Sequence, residues 1–280
     1  MRLALVAFAA ACLLAAPAIA QQRPLVTEDP ETIGGGRVLI EAGVETGRDI
    51  FLPGSGLTGN LLKAPTVGVS IGLSSIAELQ IDTSLYQRLR ITGRQPAPLA
   101  FKLDVDGDTT SDVGDLVLAT KLKIVGERVR RPSFGLRLAT KLPNASNETG
   151  LGLDTLDFSA TVLVGKTRGS TRYVGNLGLA ILGDPIRGDR QFDVLLYGFS
   201  TAYALREGLE VVGEVHGQFQ WAWDFPPPGA ESRATARGGI RYTRGAGRID
   251  AGLLLGTTSR DPGFGVTVGY THVLDAFSPP

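Results

Sequence analysis

The chain contains a single cysteine in 280 residues, Cys12, and it lies in an N-terminal stretch that carries the marks of an export signal. Met1 and Arg2 form a short basic n-region, Leu3 to Ala16 an apolar h-region, and Ala18-Ile19-Ala20 a small-x-small cleavage pattern. The spacing predicts a mature chain beginning at Gln21, without cysteine, which excludes disulfides, thiol chemistry and cysteine-ligated metals. A lipoprotein reading would need cleavage at Cys12 itself, and the residues before it do not fit one. Histidine is also scarce. His216 and His272 are far apart, so a zinc site would need both, plus carboxylates from separate strands. No excess of either charge is present, with 28 Lys plus Arg against 28 Asp plus Glu. A general nucleic-acid binder, which neutralises phosphates with a basic surplus, is therefore disfavoured. After the signal no apolar run approaches the roughly 20 residues of a spanning helix, so any membrane span must be built from strands.

What the sequence does have is period-two alternation, repeated along its length. It predicts twelve strands, near 37–45, 64–73, 77–92, 113–126, 133–142, 157–165, 171–182, 191–204, 209–223, 232–243, 248–257 and 263–274. Brief connections follow every second strand. Longer ones, at 46–63, 93–112, 143–156, 183–190 and 224–231, fall between them. Short turns on one side, long loops on the other and an even strand number are the arrangement of a bacterial outer-membrane barrel. Many segments also run about nine to fifteen residues, enough to cross a bilayer when tilted, whereas soluble strands are typically five or six. The fold class expected is all-β, an antiparallel up-and-down transmembrane barrel over 37–280, behind a signal at 1–20 and a periplasmic N-terminal segment at 21–36. Gly34-Gly35-Gly36 has neither a preceding strand nor a following helix, so it reads as a joint and not as a phosphate cradle.

Alternation also assigns faces, because neighbouring side chains on a strand point to opposite sides. Leu116, Leu118, Leu122 and Ile124 oppose Asp115, Lys121 and Lys123; Phe134, Leu136, Leu138 and Leu142 oppose Ser133, Arg137 and Lys141. Leu79, Ile81 and Leu85 oppose Glu78, Gln80, Asp82 and Tyr86. Further on, Leu209, Val211, Val215 and Phe219 oppose Glu210, Glu214, His216 and Gln218, while Ala236, Ile240 and Tyr242 oppose Arg233, Arg237 and Arg241. The apolar register is expected to face lipid and the charged one the lumen, where charge of both signs would set selectivity. Trp221, Trp223, Tyr242 and Tyr270 lie near segment ends, as an interfacial girdle requires.

The run Asp104 to Asp108 followed by Val113-Gly114-Asp115-Leu116-Val117-Leu118-Ala119-Thr120-Lys121-Leu122-Lys123 resembles a characteristic strand of the MetA-pathway phenol-degradation family of outer-membrane proteins. Gly135 to Pro143, ending in Lys-Leu-Pro, is similar to that family's next strand, and Gly150 to Asp154, Asn176 to Gly178 and Gly269 to Thr271 also fit. The resemblance implies an outer-membrane barrel admitting small organic, including aromatic, compounds, and it supplies no catalytic residues. One departure concerns assembly. Outer-membrane barrels usually end on an aromatic residue, whereas here Phe277 is followed by Ser278-Pro279-Pro280, and proline cannot continue a ladder.

Chemistry at discrete sites is thinly signalled, and no cofactor is expected. Asp104, Asp106 and Asp108, with Asp112, could offer oxygens to Ca²⁺, but the glycine and distal Glu of an EF-hand are misplaced or absent, so a solvated acidic loop is favoured. Ser200 or Ser159 could meet His216 as in a lipid-cleaving barrel, yet neither sits in a nucleophile motif. The expected function is a passive channel or facilitator for small, hydrophobic or aromatic solutes, with outer-membrane lipids and the barrel-assembly machinery as partners. The alternatives are a structural or adhesive barrel with a plugged lumen and a lipid-modifying barrel enzyme.

Overall fold

A computed structural model describes residues 23–222 and 224–278, so the predicted signal at 1–20 and the interface candidate Trp223 lie outside the described residues. The strands are β1 (Arg37–Leu52), β2 (Leu57–Gly72), β3 (Ala77–Ser84), β4 (Gln87–Arg94), β5 (Thr109–Asp112), β6 (Leu116–Val125) and β7 (Ser133–Leu142). They continue as β8 (Asp157–Arg168), β9 (Thr171–Gly183), β10 (Gln191–Arg206), β11 (Leu209–Phe219), β12 (Arg233–Arg244), β13 (Gly247–Gly256) and β14 (Phe264–Asp275). All pairings are antiparallel between neighbours, and β1 pairs with both β2 and β14, which closes the sheet. Closure leaves no edge, so each backbone polar group finds its partner without water.

The fourteen strands make twelve staves. β3 and β4 are two halves of one stave, because both pair with β2, above and below Ala64 and Pro65. Pro65 has no N–H to give the ladder. Its carbonyl still accepts from Leu85 N–H (2.9 Å), and Ala64 N–H reaches Tyr86 O (2.9 Å), so the stave bends at Leu85 and Tyr86 without parting. β5 and β6 form the facing stave: Gln87 lies opposite Asp112 and Asp82 opposite Val117 in one register, and Gly114 N–H bridges to Ser84 O at 2.7 Å.

At the end that carries both termini the connections are short. Two residues join β8 to β9, β10 to β11 and β12 to β13, and Gly169, Gly208 and Gly245 supply the positive φ such hairpins demand (60°, 72° and 60°). At the other end the connections are longer, with one exception. Residues 46–63, expected as a loop, extend β1 and β2 to a tight turn at 53–56. Register shifts between Gly43 and Glu45 and between Gly47 and Ile50 break the alternation there, and Asp49 takes φ 54°, which hides the strands from a period-two reading.

The outward register is apolar around the circumference. Leu79, Leu118, Val162, Leu177, Phe199, Val215, Ile240 and Leu253 are all exposed. A belt of that extent would be an aggregation surface in water and is the lipid face of a membrane barrel.

Candidate functional site

Inside the barrel, the charged register is paired, in part across adjacent staves and in part across the lumen wall over two or three. Glu78 faces Lys121 in the ladder and meets its ammonium at 3.2 Å, both side chains being fully buried. Arg241 and Glu210 face each other and pair at 2.7 Å. Arg237 joins Glu45 of β1 at 3.0 Å and lies 3.8 Å from Glu214. Lys141 bridges Asp157 (2.8 Å) and Asp115 (3.4 Å), Arg137 stands 3.8 Å from Asp82, and Arg233 is 3.5 Å from Glu231. His216 sits 3.7 Å from the Glu214 carboxylate. The twelve residues expected to line the lumen thus fall into several separate ion-pair clusters along the inner wall. The most deeply buried pair, Glu78 and Lys121, shows each charge desolvated against its opposite.

The segment that was expected to lie in the periplasm runs among these clusters. Residues 23–36 turn back into the barrel and follow its inner wall, meeting the staves in their order around the circumference. Near the joint, Gly36 N–H donates to Gly72 O (2.8 Å) and Ile33 N–H to Glu78 (2.8 Å). Glu31 then pairs with Lys123 of β6 (3.2 Å), and Pro30 lies against Gly135 of β7 and Gly165 of β8. Asp29 accepts from Nε and Nη2 along one guanidinium edge of Arg172 on β9 (2.8 and 2.7 Å). Val26 and Thr27 N–H groups donate to Glu214 of β11 (2.8 Å each), and Leu25 packs with Ala202 and Val212. Pro24 touches Gly239 and Gly252, and Arg23 returns to Asp250 (3.5 Å) and Thr267 (3.0 Å), beside where the circuit began.

Wall glycines make room for this strap. A Cβ at Gly239 or Gly165 would stand 3.0 Å from a proline ring atom of the strap, and one at Gly198 3.0 Å from Thr27 Oγ1. Such approaches are tighter than ordinary packing allows.

Between the strap and the loops lies the free interior. One cavity of about 470 Å³ is lined by His216, Gln218, Arg233, Arg260 and Leu254, among others. A second, of about 500 Å³, reaches down to Arg23–Val26 and Asp82. Both are bounded by Glu45, Lys63, Gln87, Leu151 and Arg237, so they are two parts of one chamber. A third, about 290 Å³, opens from it beneath Leu153 and Pro228. The chamber roof is apolar. Leu57, Leu89 and Ile91 are buried with Leu103, Val105 and Leu151 of the loops against them.

The remaining candidates fall outside the chamber's chemistry. Asp104 and Asp106 alternate with Leu103 and Val105, which turn into the roof while both aspartates stay exposed, so the carboxylates do not converge. Among the described residues no group of three or more His, Cys, Asp or Glu is placed to hold a metal ion. Ser200 faces Glu214 in the ladder and His216 faces Gly198; Ser159 lies two staves away, across from Ala180. Trp221 follows β11 in the loop, and Tyr242 and Tyr270 lie on the outward face, Tyr270 accepting or donating to His272 Nδ1 at 2.9 Å. Phe277 lies beyond β14, its N–H bonded to Gly36 O at 3.1 Å. The strap is the lumen element that sequence reading missed. Its signal was present in the glycines of the lumen register and in the Glu28, Asp29, Glu31 run opposite basic strands.

Solved structures resemble the chain to different degrees. An outer membrane channel from Pseudomonas putida F1 has a TM-score of 0.63 at 14% identity, covering 88% of this chain and 98% of that one. The CymD monoaromatic hydrocarbon channel gives 0.44 at 10% identity over 88% and 91%, and the translocator domain of the autotransporter NalP from Neisseria meningitidis 0.43 at 11% over 84% and 87%. At 14% identity the likeness to the Pseudomonas putida channel speaks to the fold. No curated protein matches the sequence. A family model does, over residues 21–271, and the chain belongs to that family, described as "Putative MetA-pathway of phenol degradation".

Proposed function

We propose that the protein is a passive outer-membrane channel or facilitator for small organic solutes, aromatic compounds included. The observation that carries this reading is the chamber made by the cavities of about 470 and 500 Å³, bounded by the barrel wall and lined by both leucines and charged side chains. Such a lining suits a solute with an apolar body and one polar group: Leu61, Leu151, Leu196 and Leu254 offer apolar contact, and Gln87, Gln218 and Arg237 offer polar partners. The family's description, which names phenol degradation, supports a phenolic solute as the first to test. The reading is of a protein without catalysis. It includes export by a signal cleaved after Ala20, insertion by the assembly machinery and a lipid belt around the outward apolar register, with the lumen charges filtering solutes. The test is solute entry into proteoliposomes. Phenol and benzyl alcohol should enter faster than in protein-free vesicles, and a neutral sugar of several times their volume should not; equal rates with and without protein would refute the reading.

A further inference from the structure

The strap is held differently from every other segment in the barrel. Among the described residues, no backbone-to-backbone hydrogen bond ties residues 23–35 to the wall; the first is that of Gly36. What holds the strap is side-chain chemistry, and its charged part is one-sided. Glu28 sets one carboxylate oxygen 3.0 Å from Arg137 and the other 3.4 Å from Lys121. Asp29 receives Arg172 in a two-pronged contact, and Glu31 meets Lys123 at 3.2 Å. Three carboxylates of the strap thus satisfy four cations that belong to β6, β7 and β9, in one sector of the wall. The wall supplies only part of the compensation itself, from Glu78, Asp82 and Glu127, and Lys123 has Glu31 as its one carboxylate partner among the described residues. The fork of Arg172 around Asp29 is how a guanidinium recognises any carboxylate, free or tethered.

The Glu28–Arg137 end of this sector borders free space. A cavity of about 180 Å³ is lined by Glu28, Arg137, Asn176 and His216. His216 also lines the main chamber.

We propose that Lys121, Lys123, Arg137 and Arg172 form a carboxylate-binding lane on the lumen wall, occupied by Glu28, Asp29 and Glu31 while the strap is seated, and taken by small organic carboxylates when the strap leaves it. The strap is then a tethered competitor. A solute carboxylate arriving from the chamber replaces its contacts one for one, and no ladder has to break. This rests on the channel reading above, and it adds the ligand's chemical class and the element that yields to it.

The experiment compares the parent protein with two full-barrel variants in planar bilayers: the neutral strap Glu28→Gln, Asp29→Asn, Glu31→Gln, and a chain lacking residues 22–33. Each is first checked for the mobility change on boiling that marks a folded barrel. Both variants should conduct severalfold more than the parent and prefer anions. Sodium benzoate should block their current with saturating dose dependence, and benzyl alcohol should not. Adding Arg172→Gln to the neutral strap should weaken the block about tenfold. Hydrogen exchange on the parent needs no variant. Benzoate should accelerate exchange at Val26, Thr27 and Glu28, whose N–H groups are held by Glu214 and Asn176. Conductance equal in parent and variants, or exchange unmoved by benzoate, overturns the lane while leaving the channel standing. Silence from parent and variants alike removes both.

Discussion

Lys121 is the point where strap and wall depend most on a single side chain. Its ammonium is fully buried and lies 3.2 Å from Glu78 and 3.4 Å from Glu28, carboxylates that are themselves almost wholly removed from solvent. Lys121→Met keeps the length and the apolar stem but strands both anions. Glu28 retains Arg137 at 3.0 Å, whereas Glu78 keeps only neutral donors, the Ile33 N–H at 2.8 Å and the Gln80 amide at 2.9 Å. Removing one partner of a buried ion pair typically costs about 3–5 kcal/mol, because an uncompensated charge remains. For a domain of this size that corresponds to a fall on the order of 10 °C in the unfolding midpoint. The assay is the temperature at which the detergent-extracted protein changes gel mobility. Combining Lys121→Met with Glu78→Gln removes the stranded charge and should recover at least half of the loss. If Lys121→Met alone melts within a degree or two of the parent, the site is hydrated and the buried network is not what holds the strap.

Two other outcomes follow from the same architecture. Leu177 lies at the middle of β9 with its side chain outward, so Leu177→Arg should cost about 2–4 kcal/mol in vesicle-embedded protein; a urea unfolding curve unchanged from the parent would contradict the lipid-face assignment. In the connection between β6 and β7, partial burial raises the Glu127 carboxyl, but hydrogen bonds from Thr167 and Lys166 and the charge of Arg172 outweigh it and hold the pKa below the ordinary value of 4.5. A carboxylate lowered on folding contributes stability that is full above its unfolded pKa and is lost as pH falls through the folded one. The stability difference between parent and Glu127→Gln should therefore be present at pH 6 and shrink toward zero by about pH 3; a difference independent of pH would rule the carboxylate out.

The staves were legible where alternation is uninterrupted. Along β7 and β12 each lumen cation, Arg137 and Lys141 or Arg233, Arg237 and Arg241, stands four residues from the next, and the intervening apolar residues define the other face. The first hairpin was not legible, because its bulges shift the phase of the alternation and Gly47, Asp49 and Pro53 read as loop residues. Lumen residues were legible as a register but not as pairs, since Arg237 to Glu45 joins strands at opposite ends of the chain. The strap escaped notice for a related reason. It has no period of its own, and its position is dictated by partners 43 to 245 residues away, as Arg23 shows with Thr66 and Val268. The glycines of the lumen register and the Glu28, Asp29, Glu31 run opposite basic strands record its course in the sequence.

The measurement that bears most directly on the account is solute entry through the purified, heat-modifiable protein reconstituted into liposomes. The chamber and its mixed lining predict that phenol enters several times faster than into protein-free vesicles, with no saturation by an energy source and no chemical change to the solute. Folded protein that leaves phenol entry at the protein-free rate would contradict it.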